Sequence, residues 1–346
     1  MNALLGRNNP PPTISILLPF RNSESTLDEC LTSIQGQTFK NFELIAVDDH
    51  SNDGSVKTIQ KYARNDPRIQ IMKNPGSGLV AALNHGLENS SSSLVARMDG
   101  DDIMLPQRLH LQYEYMQQHP GIMALGTSAS LFPAEIIQDG FREYMHWQNS
   151  CLTPQDIADE IYIESPLVHP SVMFRRKPVM ELGGYRAGPF PEDYDLWLRM
   201  HQVGMQISKL PQELLEWRDY PERTSRTDDN YSRPAFDSLR AFYLAQEPRL
   251  LQHRDNFVIW GAGRKTRKRC QHLLNHGLTP KAWIDIDPNK IGNQLNGVPV
   301  VAPEWLQTQQ MPFVLGYVAN HGARDDIACR LHAMGYQRGR NYLMVG

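Results

Sequence analysis

ISILLPFRNSESTLDECLTSIQGQTFKNFELIAVDD, residues 14–49, opens on an apolar run, passes through a segment of helical period and ends a second apolar run on two aspartates. Ile14 to Leu18 is nearly all apolar and meets Pro19, which reads as a strand buried on both faces. Between Ser25 and Gln35, Leu27, Leu31 and Ile34 recur at helical spacing, with Ser23 or Ser25 as the expected N-cap. Phe42 to Val47 reads as the next strand and stops at Asp48-Asp49. Outward from this core the alternation continues. A helix is expected from Ser55 to Tyr62 and a strand from Arg68 to Met72. A helix from Leu79 to Leu87 is entered from the turn NPGSG, and a strand from Leu94 to Met98 ends at Asp99-Gly100-Asp101-Asp102. Pro106 suits the first turn of a helix that runs to His119, where Pro120 stops it. Four strand–helix alternations predict an α/β fold, with a mostly parallel, right-handed sheet flanked by helices.

Farther on, the pattern from Pro133 to Ser165 is less regular. Val168 to Phe174 reads as a strand, and Glu192 to Val203 as a helix with acids in its first turn. Arg218 to Arg240 is polar and arginine-rich, with no assignable period. The character changes between Ala245 and Asn256. After it come FVIW (257–260), Gly261-Ala262-Gly263, a helix, and strands at Ala282 to Ile286 and Phe313 to Val318. The expected division is therefore a domain at 1–245 and a smaller Rossmann-like α/β domain at 255–346.

Composition narrows the function classes. The 346 residues are 40% hydrophobic and 21% charged with a net charge of -3, so nothing draws the chain as a whole toward nucleic acid or an anionic membrane. Cys30, Cys151, Cys270 and Cys329 are scattered without a CxxC pair, which argues against a zinc site or disulfide framework and fits a reducing compartment. The leader MNALLGRNNPPPT lacks the apolar core of a secretory signal, and no run approaches the ~18 apolar residues of a membrane span. A cytoplasmic protein is expected, with peripheral contact at the inner face of the membrane left open.

Three of the expected strands deliver special residues to one sheet edge: Pro19-Phe20-Arg21-Asn22, Asp48-Asp49 and the Asp99–Asp102 turn. In an open parallel sheet, ligands bind beyond the carboxyl ends of the strands. Converging carboxylates repel, so a fold that gathers them usually holds a cation, and all-oxygen ligands select a hard ion such as Mg²⁺ or Mn²⁺. The plainer reading is that Asp-Asp and Asp-Gly simply cap turns. Two such clusters on one edge favour the functional reading.

The runs ISILLPFRN, QTFKNFELIAVDDHSNDGS, NPGSGLVAALNHGL and VARMDGDD, followed in order by HPSVMFRR, ELGGYR and PEDYDLWLR, closely resemble the inverting family 2 glycosyltransferases of the GT-A fold. The resemblance covers about residues 13 to 220. It implies a metal-dependent enzyme that moves a hexosyl or N-acetylhexosaminyl group from a nucleotide diphosphate donor, UDP by family tendency, to an acceptor hydroxyl in glycan or polysaccharide assembly. The acceptor would be a glycan or a lipid-linked glycan. By position, Pro19 and Arg21 would border the nucleobase, Asp48 would accept from the uracil with Asp49 beside it, and Arg97 would meet phosphate. Asp99-Gly100-Asp101 matches the DxD element. Asp99 would lie near ribose and phosphates and share in holding the metal, Asp101 would ligate it, and Asp102 is a further candidate for the same ion. Glu192-Asp193 matches the ED element, with Asp193 as general base. The chemistry needs such a group, since a sugar hydroxyl is a poor nucleophile until a carboxylate takes its proton. The alternative for this pair is helix capping, and both roles are compatible. Glu192, His169 and Arg218 are candidates for acceptor contact or for support of the site. Trp197, Leu196 and Leu198 read as core. Phe20-Arg21 departs from the family's usual residues there.

The C-terminal FVIWGAGRKTRK places Gly261 and Gly263 between a strand and a helix, with Asp285 or Asp287 about 20 residues on, as in a dinucleotide fingerprint. The third glycine is replaced by Thr266. Arg264, Lys265, Arg267, Lys268 and Arg269 crowd the helix start, where cations oppose the helix dipole unless an anion or solvent offsets them. Two further readings stay open: a nucleotide-sugar binding or scaffold protein without activity, and a bifunctional protein with a dinucleotide-binding C-terminal domain.

Overall fold

The computed structural model describes residues 11–318 and 322–346. The leader at 1–10, read above for a secretory signal, lies outside the described residues. The chain folds into two compact units. The first comprises the chain up to Leu152, Leu167–Ala187 and Met205–Tyr220, and the second Thr153–Pro166, Gly188–Gly204 and Pro221–Gly346.

The first unit is built on an eight-stranded sheet. Its strands are β1 (Ile14–Phe20), β2 (Phe42–Asp48), β3 (Ile69–Lys73), β4 (Leu94–Arg97), β5 (Ile103–Met104), β6 (Ile122–Phe132), β7 (Met173–Arg175) and β8 (Gln206–Arg218), in the order β3-β2-β1-β4-β7-β6-β8-β5. β1, β2, β3 and β4 are parallel, as the βα alternation requires. β1 is buried throughout. Ile14, Ile16, Leu18 and Phe20 join the main apolar cluster with Leu27, Leu31 and Ile34 of the Leu27–Gln35 helix. Each such side chain stabilises the fold by roughly 1.5–3 kcal/mol. Leu17 points to the opposite face and comes so close to the Leu79–Asn89 helix that a Cβ on Gly86 would lie 2.1 Å from Leu17 Cδ1. That position accepts no larger residue without movement.

The expected elements of this half form within a few residues of their predicted bounds. The Leu27–Gln35 helix, however, has Thr26 as its N-cap and no side-chain cap, in place of Ser23 or Ser25. The sheet is mixed beyond β4. Val168 to Phe174 is not one strand: His169–Ser171 is a 3-10 turn, and only Met173–Arg175 pairs, antiparallel to β4 and β6. Pro170 lacks the N–H that a ladder there would use. The long parallel pair β6–β8 has no clear signature in sequence. β6 carries Gly126, Thr127, Ser128 and Ser130, β8 carries Pro211 and three charged residues before its end, and register shifts near Thr127 and Ser128 break the period of two.

The second unit holds a six-stranded sheet: β9 (Phe257–Trp260), β10 (Ala282–Ile284), β11 (Gln294–Leu295), β12 (Val298–Val301), β13 (Phe313–Gly316) and β14 (Tyr342–Met344), ordered β11-β12-β10-β9-β13-β14. All pairings are parallel except β11 with β12. The chain between residues 245 and 255 does not act as a free linker. Glu247 accepts hydrogen bonds from Tyr162 Oη at 2.7 Å and from His201 Nε2 at 3.0 Å, and Arg249 pairs with Asp159 at 2.8 Å. Residues 153–166 and 188–204 group with the C-terminal sheet in one compact unit.

Candidate functional site

In the first sheet the strand order reverses at β1: β2 and β3 lie on one side and β4 on the other. The crevice beyond such a reversal is where open α/β sheets bind ligands. β4 ends at Arg97, and Asp99, Asp101 and Asp102 follow within one turn. One carboxylate oxygen from each lies within 4.8 Å of the others. The cluster is held from all sides. Arg97, fully buried, donates from Nη2 to Asp99 Oδ1 at 2.6 Å. Tyr220 donates its hydroxyl to Asp101 Oδ2 at 2.8 Å. Arg218 donates its backbone N–H to Asp102 Oδ1 at 2.8 Å and its Nε–H to the Asp101 carbonyl at 2.7 Å, pairs with Glu29, and lies 4.3 Å from the Phe132 ring centre. Thr26 Oγ1 donates to the Gly100 carbonyl at 2.9 Å.

The concentration of negative charge shows in a neighbour. Burial, and after it the charges of Asp102, Asp101 and Asp99, push the Cys30 thiol well above its usual value. Three carboxylates in one turn form an all-oxygen donor set. That chemistry fits Mg²⁺ or Mn²⁺ and does not suit a soft metal.

The turn after β2 treats its two acids differently. The Asp49 carboxylate accepts from Asn74 Nδ2 at 2.7 Å and from the Gly78 N–H at 2.9 Å, which ties it to the NPGSG turn, and Arg21, mostly exposed, lies 3.9 Å away. Asp48 accepts from the Ser51 N–H through Oδ1 at 3.0 Å. Its Oδ2 accepts no hydrogen bond among the described residues. Asp48 is therefore the one of the pair with an oxygen left for a ligand. Pro19 sits in β1 opposite Val47 of β2.

In the second unit, Glu192 and Asp193 begin the Glu192–Gln202 helix, whose first turn also carries Asp195. Glu192 is buried and accepts from Tyr231 Oη at 2.5 Å. Asp193 Oδ1 accepts the N–H of Tyr194 at 2.7 Å, a cap-like contact. Asp195 is held by Arg199 at 2.8 Å and by Tyr243 Oη at 2.6 Å. Leu196, Trp197 and Leu198 are fully buried, as expected of core. His169, in the first unit, is buried with its Nε2 2.9 Å from Tyr185 Oη.

Tyr220 and Tyr231, which touch Asp101 and Glu192, carried no signal in the sequence. They lie in the stretch without period, and Tyr220 is 119 residues from its partner. At the second sheet, Gly261 adopts φ 116°, open to glycine, where a Cβ would meet Thr266 Cγ2 at 3.0 Å. Asp285 accepts from the Ala262 N–H at 2.9 Å and the Asp287 N–H at 3.0 Å, and pairs with Lys290 at 3.2 Å. No helix among the described residues is long and apolar enough to cross a membrane.

A mixed sheet with a reversal at β1 and an aspartate turn after β4 defines the GT-A class of glycosyltransferase. The S. aureus protein TarS, solved with UDP-GlcNAc, shares the fold at a TM-score of 0.54 and 16% identity, over 76% of this chain and 79% of that one. The family described as "Glycosyl transferase family 2" matches residues 15–183. The amylovoran biosynthesis glycosyltransferase AmsE of Erwinia amylovora is 32% identical over 207 residues, 59% of this chain and 75% of the relative. The O-antigen biosynthesis glycosyltransferase WbnJ of Escherichia coli is 31% identical over 236 residues, 66% of this chain and 88% of the relative. The chain belongs to glycosyl transferase family 2.

Proposed function

We propose that the protein is an inverting, metal-dependent glycosyltransferase that takes a UDP-hexose or UDP-N-acetylhexosamine and glycosylates a hydroxyl of a glycan or lipid-linked glycan in polysaccharide assembly, in the cytoplasm. The transferase portion is residues 1–245, with 255–346 as an α/β addition. The observation that carries this reading is the three-carboxylate turn after β4, inside the family-matched segment. The relatives AmsE and WbnJ, named for amylovoran and O-antigen biosynthesis, support the polysaccharide assignment.

In this reading Asp101 and Asp99, with Asp102 beside them, hold Mg²⁺ or Mn²⁺. The ion supplies charge stabilisation for the departing diphosphate. Arg97 orients Asp99 through its guanidinium, and the Tyr220 hydroxyl orients Asp101. The Oδ2 of Asp48 accepts the imide N–H of the uracil, while Pro19 and Arg21 border the base and Asp49 shapes the neighbouring turn. Asp193 takes the proton of the acceptor hydroxyl as the glycosidic bond forms, and Glu192 and His169 support the acceptor side. Back-side attack turns an α-linked donor into a β-linked product.

The test is a screen of nucleotide sugars for Mn²⁺-dependent release of the nucleotide, repeated with Asp193→Asn. The expected result is release by the wild type, reduced roughly 10²–10⁴-fold in the variant. Donor binding without turnover in the wild type would instead establish an inactive nucleotide-sugar binding protein.

A further inference from the structure

The helix Arg264–Leu274 buries Thr266, Cys270 and Leu273 and turns its other side outward. Arg264, Arg267, Lys268, Gln271, His272 and Asn275 line one open depression on that side. Their spacing of three and four residues places them in a stripe along one helix face. From 264 to 275 the stripe runs about 16 Å at 1.5 Å per residue. Arg264, Lys265, Arg267 and Lys268 are exposed, and none makes an ion pair among the described residues. Arg269 on the inner side differs, with its guanidinium 3.4 Å from Asp237. Four unneutralised cations in the first turns repel one another and oppose the helix dipole. The chain as a whole carries a net charge of -3, so the patch is a local concentration and not a reflection of overall basicity.

An apolar element stands beside it. Phe242, on the adjacent helix Arg233–Leu244, is 49% exposed, and its ring centre lies 6.1 Å from that of His276, just past the end of the stripe. Cations that meet phosphates, next to an exposed aromatic that can enter the acyl boundary, are the two components of interfacial lipid binding. The depression is open and lacks the enclosing walls that a discrete phosphate ligand needs.

We propose that the exposed face of the Arg264–Leu274 helix, with Phe242 at its margin, is a docking surface for an anionic lipid bilayer. The cations supply the long-range attraction and the ring a short-range anchor. The surface is independent of the transferase reading.

The test is co-sedimentation of the full chain with vesicles of phosphatidylcholine alone and of phosphatidylcholine and phosphatidylglycerol in equal parts. The protein is expected to pellet with the anionic vesicles only, and to be released as salt shortens the reach of the charges. Reversing two cations, Arg264→Glu with Lys268→Glu, is expected to weaken partitioning by about tenfold or more. Phe242→Ser is expected to weaken it several-fold. Tm and donor hydrolysis should stay at wild-type values in both variants. Equal pelleting with neutral vesicles, no pelleting with either, or wild-type binding by both variants overturns the proposal. So does release by inorganic phosphate but not by chloride at matched ionic strength, which would mark a local phosphate site. Binding of a single-stranded RNA oligonucleotide in place of vesicles, lost in the charge-reversed variant, would mark a nucleic-acid surface.

Discussion

At the carboxyl end of β4 three aspartates crowd one turn, whereas at the carboxyl end of β10 Asp285 is wrapped by donors of its own chain. Both sheets reverse their strand order at their first strand. In the first, β2 and β3 lie to one side of β1 and β4 to the other. In the second, β10 and β12 lie to one side of β9 and β13 to the other. Each therefore has a reversal point of the kind that binds ligands. What differs is how the charge there is settled. Asp285 is satisfied by two backbone N–H groups and by Lys290. Burial alone would raise its pKa. The N–H groups of Asp287 and Ala262 and the Lys290 ammonium outweigh burial and hold the carboxyl below its ordinary value. Asp99, Asp101 and Asp102 instead bring three carboxylates within mutual reach in one turn, each steadied by a donor. Topology offers a site, and local charge decides whether it asks for a ligand.

Three substitutions probe this contrast. Asp101→Asn removes a carboxylate from the crowded turn while keeping its size and its contact with Tyr220. Turnover is expected to fall roughly 10²–10³-fold with the circular dichroism unchanged. Retained activity would break the comparison at its first term. Tyr220→Phe deletes only the hydroxyl that orients Asp101. Mn²⁺ binding, followed by electron paramagnetic resonance without any substrate, is expected to weaken by about tenfold. An unchanged Mn²⁺ affinity would mean that the hydroxyl does not position the ligand.

Asp285→Asn acts at the other rim. It is expected to cost about 1 kcal/mol of stability by denaturant titration, with donor hydrolysis unaffected. The pH dependence has a definite sign. The folded carboxyl is depressed, so its contribution is fully present above the ordinary value of about 3.9 and is lost as pH falls through the folded value. The wild type and Asp285→Asn should therefore differ at neutral pH and converge in acid below about 3.9. A difference that persists in acid would show that the ionised Asp285 is not what closes this rim.

Half of the first sheet was readable in advance. β1, β2 and β4 announce themselves as apolar runs beside helices of clear period, β3 falls in step between two of those helices, and the aspartates that end β2 and follow β4 come with the strands. β6 and β8 were not readable. Their stability rests on pairing with each other over about ten positions, and neither Thr127, Ser128 and Ser130 nor the buried Lys209 betrays a strand. Val168 to Phe174 misled because its apolar residues masked the effect of Pro170. The aspartates of the candidate site were legible, but not what holds them. Arg218 is expected from the sequence at the acceptor or in support of the site, and its backbone and side chain both brace the Asp101-Asp102 pair.

From the amino acids alone come the α/β class, the family, and the candidate acids Asp48, Asp99, Asp101 and Asp193, since each depends on residues close together along the chain. Only the folded chain decided that Asp49 is spent on the turn at Gly78 while Asp48 keeps an oxygen to offer. It also decided that Tyr220 reaches Asp101, and that residues 153–166 pack with the C-terminal sheet. These outcomes rest on contacts between distant segments. The free energy of such a contact depends on what burial and neighbouring charge surround it, and no local period in a sequence encodes that.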